Sequence, residues 1–267
     1  MAASFPSARV RSSPLESASK TIRYNEGLRL PGRRVSSSTE GAFALLGRCV
    51  RDEFQGNNGT RTTQGMRGRF ITFEGIDGAG KTTQIDRLEN FLRSRAIEVV
   101  RTREPGGTPL GEKIRGLLLG DEMGVTAETL LFFAARAEHV ERVIRPALER
   151  GAWVLSDRFA DATYAYQAGG KGVPGERVEA LEAWTLEGFA PDRTILFDLP
   201  PAVAEGRRAG REASDRFERE NRDFFDRVRD AYLERAKNDP KRFVVVDASA
   251  DPESIAETLL KEMRPWL

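Results

Sequence analysis

From Gly75 to Thr82 the chain reads Gly75-Ile76-Asp77-Gly78-Ala79-Gly80-Lys81-Thr82, with Thr83 following. That spacing suits the holding of a polyphosphate. Its glycines let backbone N–H groups turn inward at the positive end of a helix, Lys81 can reach the outer phosphates, and the Thr82 hydroxyl can hold Mg²⁺. The phosphate-binding pattern G-x-x-x-x-G-K-[ST] is met at every fixed position.

Three further clusters could act on the same ligand or a neighbour. Thr102-Arg103-Glu104-Pro105-Gly106-Gly107-Thr108 makes a tight loop in which Arg103 can offer a fork of donors to a phosphate; a plain connecting turn with a solvated Arg is the alternative. In Ser156-Asp157-Arg158-Phe159 the acid ends a hydrophobic run, where a water ligand of Mg²⁺ belongs, and Arg158 can clamp a second phosphate; a capping Asp beside a surface Arg is the bland reading. Phe132 and Arg136 stand four apart in a helix-period segment, so a flat ring could lie on the Phe while the guanidinium donates to its edge. Ordinary core packing is the alternative for the phenylalanine.

The elements around these clusters alternate. Phe70 to Phe73 ahead of the first loop reads as a short strand, and Thr83 to Leu88 behind it as an amphipathic helix. Strands are expected at 69–74, 97–102, 152–156, 193–199 and 242–247. Helices are expected at 81–95, 109–119, 126–149, 174–187, 200–212, 218–237 and 252–264. Such a chain builds an α/β fold, a five-stranded parallel sheet with helices on both faces, joined by right-handed crossovers. Ligands then sit at the carboxyl ends of the strands, where the phosphate loop, the Arg103 loop and Asp157-Arg158 fall.

Composition removes whole classes of chemistry. With Cys49 as the single cysteine, no intrachain disulfide and no Cys-rich zinc site can form. With His139 as the single histidine, a zinc hydrolase with several His ligands is excluded; His139 lies in a helical apolar pattern and is expected to pack or hydrogen-bond. No stretch approaches the roughly 18 apolar residues of a membrane span.

Residues 1–66 differ in kind from the rest. They carry 10 Lys and Arg against 5 Asp and Glu, leaving 32 against 36 for the remainder, and are rich in Ser, Gly and Thr. They are expected to be a largely disordered basic extension ahead of a domain at 67–267. Three readings stand: an organelle transit peptide, with Phe43, Leu46, Val50 and Phe54 on one face of a short helix though Asp52 and Glu53 interrupt it; a gene-start artefact, since Met66 precedes the first strand by a few residues; or a tail contacting nucleic acid, which no aromatic or motif pattern supports.

From about Arg67 to Leu267 the chain resembles the thymidylate kinases of the bacterial kind, P-loop nucleoside-monophosphate kinases. The resemblance rests on Phe73 to Thr83, Arg103 to Thr108, Phe132 to His139, Asp157-Arg158-Phe159, Ala165-Tyr166-Gln167 and Asp215-Arg216-Phe217-Glu218, in family order. It implies transfer of the γ-phosphoryl group of ATP to dTMP, with Mg²⁺, in a cytoplasmic homodimer. It implies that Asp77 meets the 3′-hydroxyl of the acceptor sugar and that Arg103 and Arg158, beside Pro105, hold the monophosphate. Phe132 would stack on thymine, Arg136 donate to a ring carbonyl, Gln167 help at the base and Tyr166 crowd the 2′ position. Gly75, Asp77, Gly78, Ala79, Gly80, Lys81, Thr82 and Thr83 would line the ATP phosphates, with Thr82 and Asp157 serving Mg²⁺, partly through water.

Two departures matter. Members of the eukaryotic kind carry an Arg where Gly78 stands, so a mobile arginine-rich lid around Arg207, Arg211 and Arg216 must supply the charge at the transferring group, with Arg211 the first choice. Thr163 stands where Ser is commoner, and keeps the hydroxyl. Strand-end residues Val246 to Ser249 lie where related kinases pass the adenine ring. Two rivals remain: a deoxynucleoside kinase of the same fold, which would need a carboxylate base for a neutral hydroxyl, and a nucleotide-dependent interaction module such as a switch GTPase, whose guanine-reading Asn-Lys-x-Asp element is absent from the chain.

Overall fold

The run Phe70-Ile71-Thr72-Phe73-Glu74 has no polar alternation, and as β1 (Phe70–Glu74) every residue of it is buried, the behaviour of a strand covered on both faces. The computed structural model describes residues 67–208 and 216–267, all within one compact unit. The basic extension, Cys49, Arg211 and the rest of 209–215 lie outside the described residues.

β1 is the middle of a five-stranded sheet of order β2-β3-β1-β4-β5, with β2 at Val99–Arg103, β3 at Trp153–Asp157, β4 at Arg193–Asp198 and β5 at Phe243–Asp247. Every pairing is parallel. The edge strands β2 and β5 are only partly covered. Side chains alternate across the sheet: Ile71, Phe73 and Leu155 join the core with Ile85, Leu88 and Leu259, while Phe70 and Val154 pack with Ile144, Leu148, Phe159 and Leu186. The register sets Phe73 beside Asp157, and Arg103 beside Asp157 from the other flank. Three strand ends carrying candidate chemistry therefore open on one edge.

The helices are α1 (Lys81–Ser94), α2 (Pro109–Gly120), α3 (Val125–His139), α4 (Arg145–Glu149), α5 (Ala160–Thr163), α6 (Gly175–Leu186), α7 (Pro201–Arg208), α8 (Arg222–Asn238) and α9 (Pro252–Met263). Three stretches depart from expectation. The helix expected at 126–149 is broken by a π-helical turn, Val140–Ile144, where Arg145 N–H reaches back to Val140 O. Pro146 is the reason: it has no N–H to donate and its ring crowds the preceding turn, so the ladder widens. The residues after β3, for which no helix was expected, form α5 and a π-helical segment, Tyr164–Gly170. That segment is glycine-rich and poor in helix propensity; its packing against α8 overrides this. A Cβ at Gly170 would lie 2.4 Å from the Phe224 ring, so the close approach needs glycine. α8 begins later than expected because Asn221 caps it, its side chain accepting from Phe224 N–H at 2.9 Å.

Candidate active site

The phosphate loop joins β1 to α1, and its fit is backbone-tight: a Cβ on Gly75, at φ 125°, would stand 2.5 Å from Phe197 O. Lys81 opens α1, buried, and folds back to donate to Gly75 O at 3.0 Å and Ile76 O at 3.2 Å. Burial, then the nearby Arg158, push its ammonium below its ordinary pKa. Thr82 and Thr83 stand exposed at the helix start.

Arg158, at φ 72° just past β3, ties the loop to a second cleft. Its Nη1 donates to Gly75 O at 3.0 Å and to the Tyr232 hydroxyl at 3.2 Å. Its Nη2 donates to Asp77 Oδ1 at 2.9 Å and to the Tyr166 hydroxyl at 3.0 Å. Burial opposes the charge on Asp77, but Arg158 and then Lys81, 3.7 Å away, hold its carboxyl down to about 2. Burial pushes the Tyr166 phenol above its ordinary value, so it stays a neutral hydroxyl.

The second cleft, about 210 Å³ in volume, is lined by Asp77, Arg103, Pro105, Phe132, Asp157, Arg158, Tyr166 and Gln167 among others. Eight expected residues, drawn from four stretches of chain, thus meet at one site. Phe132 packs obliquely on Phe217, ring centres 6.0 Å apart. Arg103 is exposed and paired with Glu112 at 3.0 Å. Asp157 Oδ1 is buried with no hydrogen-bond partner, an arrangement that awaits a cation or its water.

Arg136 does not line the cleft wall; it is buried behind it, donating to Glu104 at 2.7 Å, Phe159 O at 3.0 Å and Thr163 Oγ1 at 2.9 Å. Its Nη1 is buried without a partner. Of the arginines expected over the phosphates, Arg207 Nη1 lies 3.4 Å from Gly78 O. Arg216, the other described one, is tied to Leu118 O at 2.6 Å and lies 2.6 Å from Glu128, a fully buried carboxylate that demands cations.

Sequence reading missed the acids that hold the site. Glu104 accepts from Arg136 and pairs with His139 Nδ1 at 2.9 Å, while His139 Nε2 meets Thr102 Oγ1 at 2.6 Å. The lone histidine is therefore a hydrogen-bonding residue that braces the Arg103 loop. Glu74 accepts from Phe159 N–H and from the Tyr232 hydroxyl, each at 2.7 Å, and so supports Arg158 from beneath.

A parallel sheet with a phosphate loop after its central strand, and an adjoining cleft that shares Asp77 with that loop and is tied to it by Arg158, defines the class of P-loop nucleotide kinases. A family model for thymidylate kinase matches residues 73–259. The thymidylate kinase of Methylobacillus flagellatus is 55% identical over 201 residues, 75% of this chain and 99% of that one. That of Cupriavidus necator is 57% identical over 198 residues, 73% and 98%. The crystal structure of thymidylate kinase from Ehrlichia chaffeensis superposes with a TM-score of 0.61 at 34% identity, over 74% of this chain and 99% of that one. The chain belongs to the thymidylate kinase family.

Proposed function

We propose that this protein transfers the γ-phosphoryl group of ATP to dTMP, giving dTDP and ADP, in the supply of dTTP. The observation that carries the reading is Arg158, whose guanidinium bonds at once to the phosphate loop at Gly75 and to Asp77 and Tyr166 in the adjoining cleft. A residue so placed can bridge the two phosphates that react. An oxygen of the dTMP monophosphate attacks the γ-phosphorus, the bond to the β-γ bridging oxygen breaks, and ADP leaves. The attacking oxygen is already anionic, so no general base is needed and catalysis is alignment with charge neutralisation.

Lys81 and the loop N–H groups, with Gly78, Ala79, Gly80, Thr82 and Thr83, are assigned to ATP. Arg103 and Arg158 are assigned to the acceptor phosphate, Asp77 to the 3′-hydroxyl, Tyr166 to exclusion of a 2′-hydroxyl, and Phe132 to stacking on the base. The unpaired Nη1 of Arg136 supports a bond to a ring carbonyl. Mg²⁺ fits the residues present, since Asp157 Oδ1 is buried and unpartnered beside the loop. Thr82 and, partly through water, Asp157 would hold it, and when bound it supplies charge neutralisation on the phosphates. Arg211 is assigned to the transferring group, with Arg207 beside the loop in support; Arg216, engaged by Glu128, is assigned no part in it.

We assign the kinase to residues 67–267 and regard 1–66 as an added basic extension. A homodimer is supported by exposed Leu110 and Leu117 on α2, Leu130 on α3 and Trp184 on α6, helices that pack on one another. Among the described residues no helix is long and apolar enough to cross a membrane. ATP and dTMP as substrates favour the cytoplasm, with an organelle as the alternative if 1–66 is an address.

Purified protein offered dTMP, dUMP and thymidine with ATP and Mg²⁺ tests this. Turnover of dTMP is expected, dUMP should follow by a factor of roughly 10 to 200 because one methyl group separates them, and thymidine should be inert. Turnover of thymidine without dTMP would favour the nucleoside kinase; no acceptor use at all would favour the interaction module.

A further inference from the structure

Glu128 reaches neither cleft nor loop, yet it is fully buried in the first turns of α3. Its Oε2 accepts from Lys171 Nζ at 2.8 Å and lies 2.6 Å from Arg216 Nη2. Its Oε1 accepts from Gln167 Nε2 at 2.8 Å. A carboxylate held by two cations is an acceptor only, so it dictates which end of the Gln167 amide faces it. The amide cannot flip without setting oxygen against oxygen in a buried site, which costs a hydrogen bond and adds repulsion.

The other end, Oε1, is then what Gln167 has left for the cleft it lines, and among the described residues no donor reaches it. Behind the cleft wall, where Arg136 donates to the cleft-lining Glu104 and Thr163, its Nη1 is also unpaired, so one spare acceptor is left for the cleft and one spare donor lies just behind it. A pyrimidine with a ring N3–H next to a 4-carbonyl matches that pair. Cytosine presents the reverse, a bare N3 and a 4-amino group, and leaves both protein groups unsatisfied.

We propose that Glu128 is a positioning residue for base choice: by locking the Gln167 amide it selects acceptors carrying an N3–H over cytidine nucleotides. This rests on the reading of the site as one for a pyrimidine monophosphate. Glu128 touches no substrate in this scheme and acts through Gln167 alone.

The Glu128→Gln variant is isosteric and can offer Gln167 either a donor or an acceptor, which frees the amide to turn. Steady-state kinetics with dTMP and dCMP, ATP and Mg²⁺ should show the dTMP-to-dCMP ratio of kcat/KM falling at least about tenfold, the scale of one hydrogen bond. The change should lie in KM for dTMP and in the inhibition constant of dCMP, with kcat for dTMP little altered. A merely structural role would lower both acceptors together and leave the ratio unchanged, and that result in a folded variant overturns the proposal. Should the lone substitution fail to fold, the charge-balanced pair Glu128→Gln with Lys171→Met carries the same expectation and the same overturning result. Lys171→Met by itself keeps the Glu128–Gln167 bond and should keep the ratio; a tenfold loss there would also overturn it. If the unaltered protein does not phosphorylate dTMP, it is the functional assignment that fails, which this ratio does not decide.

Discussion

Glu74 sits with no solvent contact at the end of the central strand, between Phe159 N–H and the Tyr232 hydroxyl, one step behind Arg158. Burial, and then the charge of Asp161, push its carboxyl up to about 8 from an ordinary 4.5. The folded chain therefore holds a proton that the unfolded chain releases. The stability this contributes is present below about pH 4.5 and is lost as pH rises through about 8. Asp77 has the opposite sign: held down to about 2, it contributes above its ordinary 3.8 and ceases to as pH falls through about 2. Glu74→Gln removes the first titration, so urea midpoints should lose most of their decline between pH 4.5 and 8, a slope of up to roughly 1.4 kcal/mol per pH unit. An unaltered slope would place the titrating group elsewhere. Why sequence reading passed over Glu74, Glu104 and Glu128 is plain at this scale. Lys81, Asp77 and Arg158 declare themselves by local spacing, but a buried acid acquires its role from partners remote in the chain; Tyr232 is 158 positions from Glu74. A signal did exist, since Glu74 ends an otherwise apolar strand, and an acid there must be paired to be buried.

Strands were legible to within two residues because each is a short apolar run bounded by polar sequence, and the parallel order followed from their alternation with helices. Helix interruptions were not: the first follows from Pro146, a local signal that the helical apolar period outweighed, and the second from a tertiary demand, the seat of Tyr166 and Gln167 against α8. The second stretch matters for the site, because it carries two cleft residues on an element that intrinsic propensity does not support. Gly170→Ala would drive a Cβ into Phe224, a ring 2% exposed with nowhere to move. It should destabilise by about 1–3 kcal/mol and raise KM for dTMP, as Tyr166 and Gln167 shift with the segment. Gly116→Ala is the counterpart on α2. A Cβ there meets nothing within 4 Å, so the same substitution should stabilise by about 0.4–1 kcal/mol. Equal effects from the two, read by denaturant unfolding, would mean that helix propensity alone and not packing decides both.

At the scale of the whole chain, the division we propose falls between residues 66 and 67. Residues 1–66 hold a twofold excess of basic over acidic side chains, while the family match begins at Phe73 and a relative is spanned over 99% of its length by 201 residues of this chain. The described fold, beginning at Arg67, already contains the five strands, the phosphate loop and the cleft. The nearest structural demand on the boundary is local: Gly68 N–H donates to Leu148 O at 2.9 Å, and Arg69 pairs with Asp192 at 3.2 Å. A chain begun at Met66 keeps both bonds, whereas one begun at Phe70 loses them and frays the central strand at its start. The first truncation should therefore leave kcat, KM for dTMP and the melting temperature within error of the full chain. The second should lower the melting temperature by several degrees, as loss of about 1–2 kcal/mol does in a domain of this size. A fall in activity on removing only residues 1–65 would show that the extension contributes to the kinase, and would make it part of the enzyme and not a passenger.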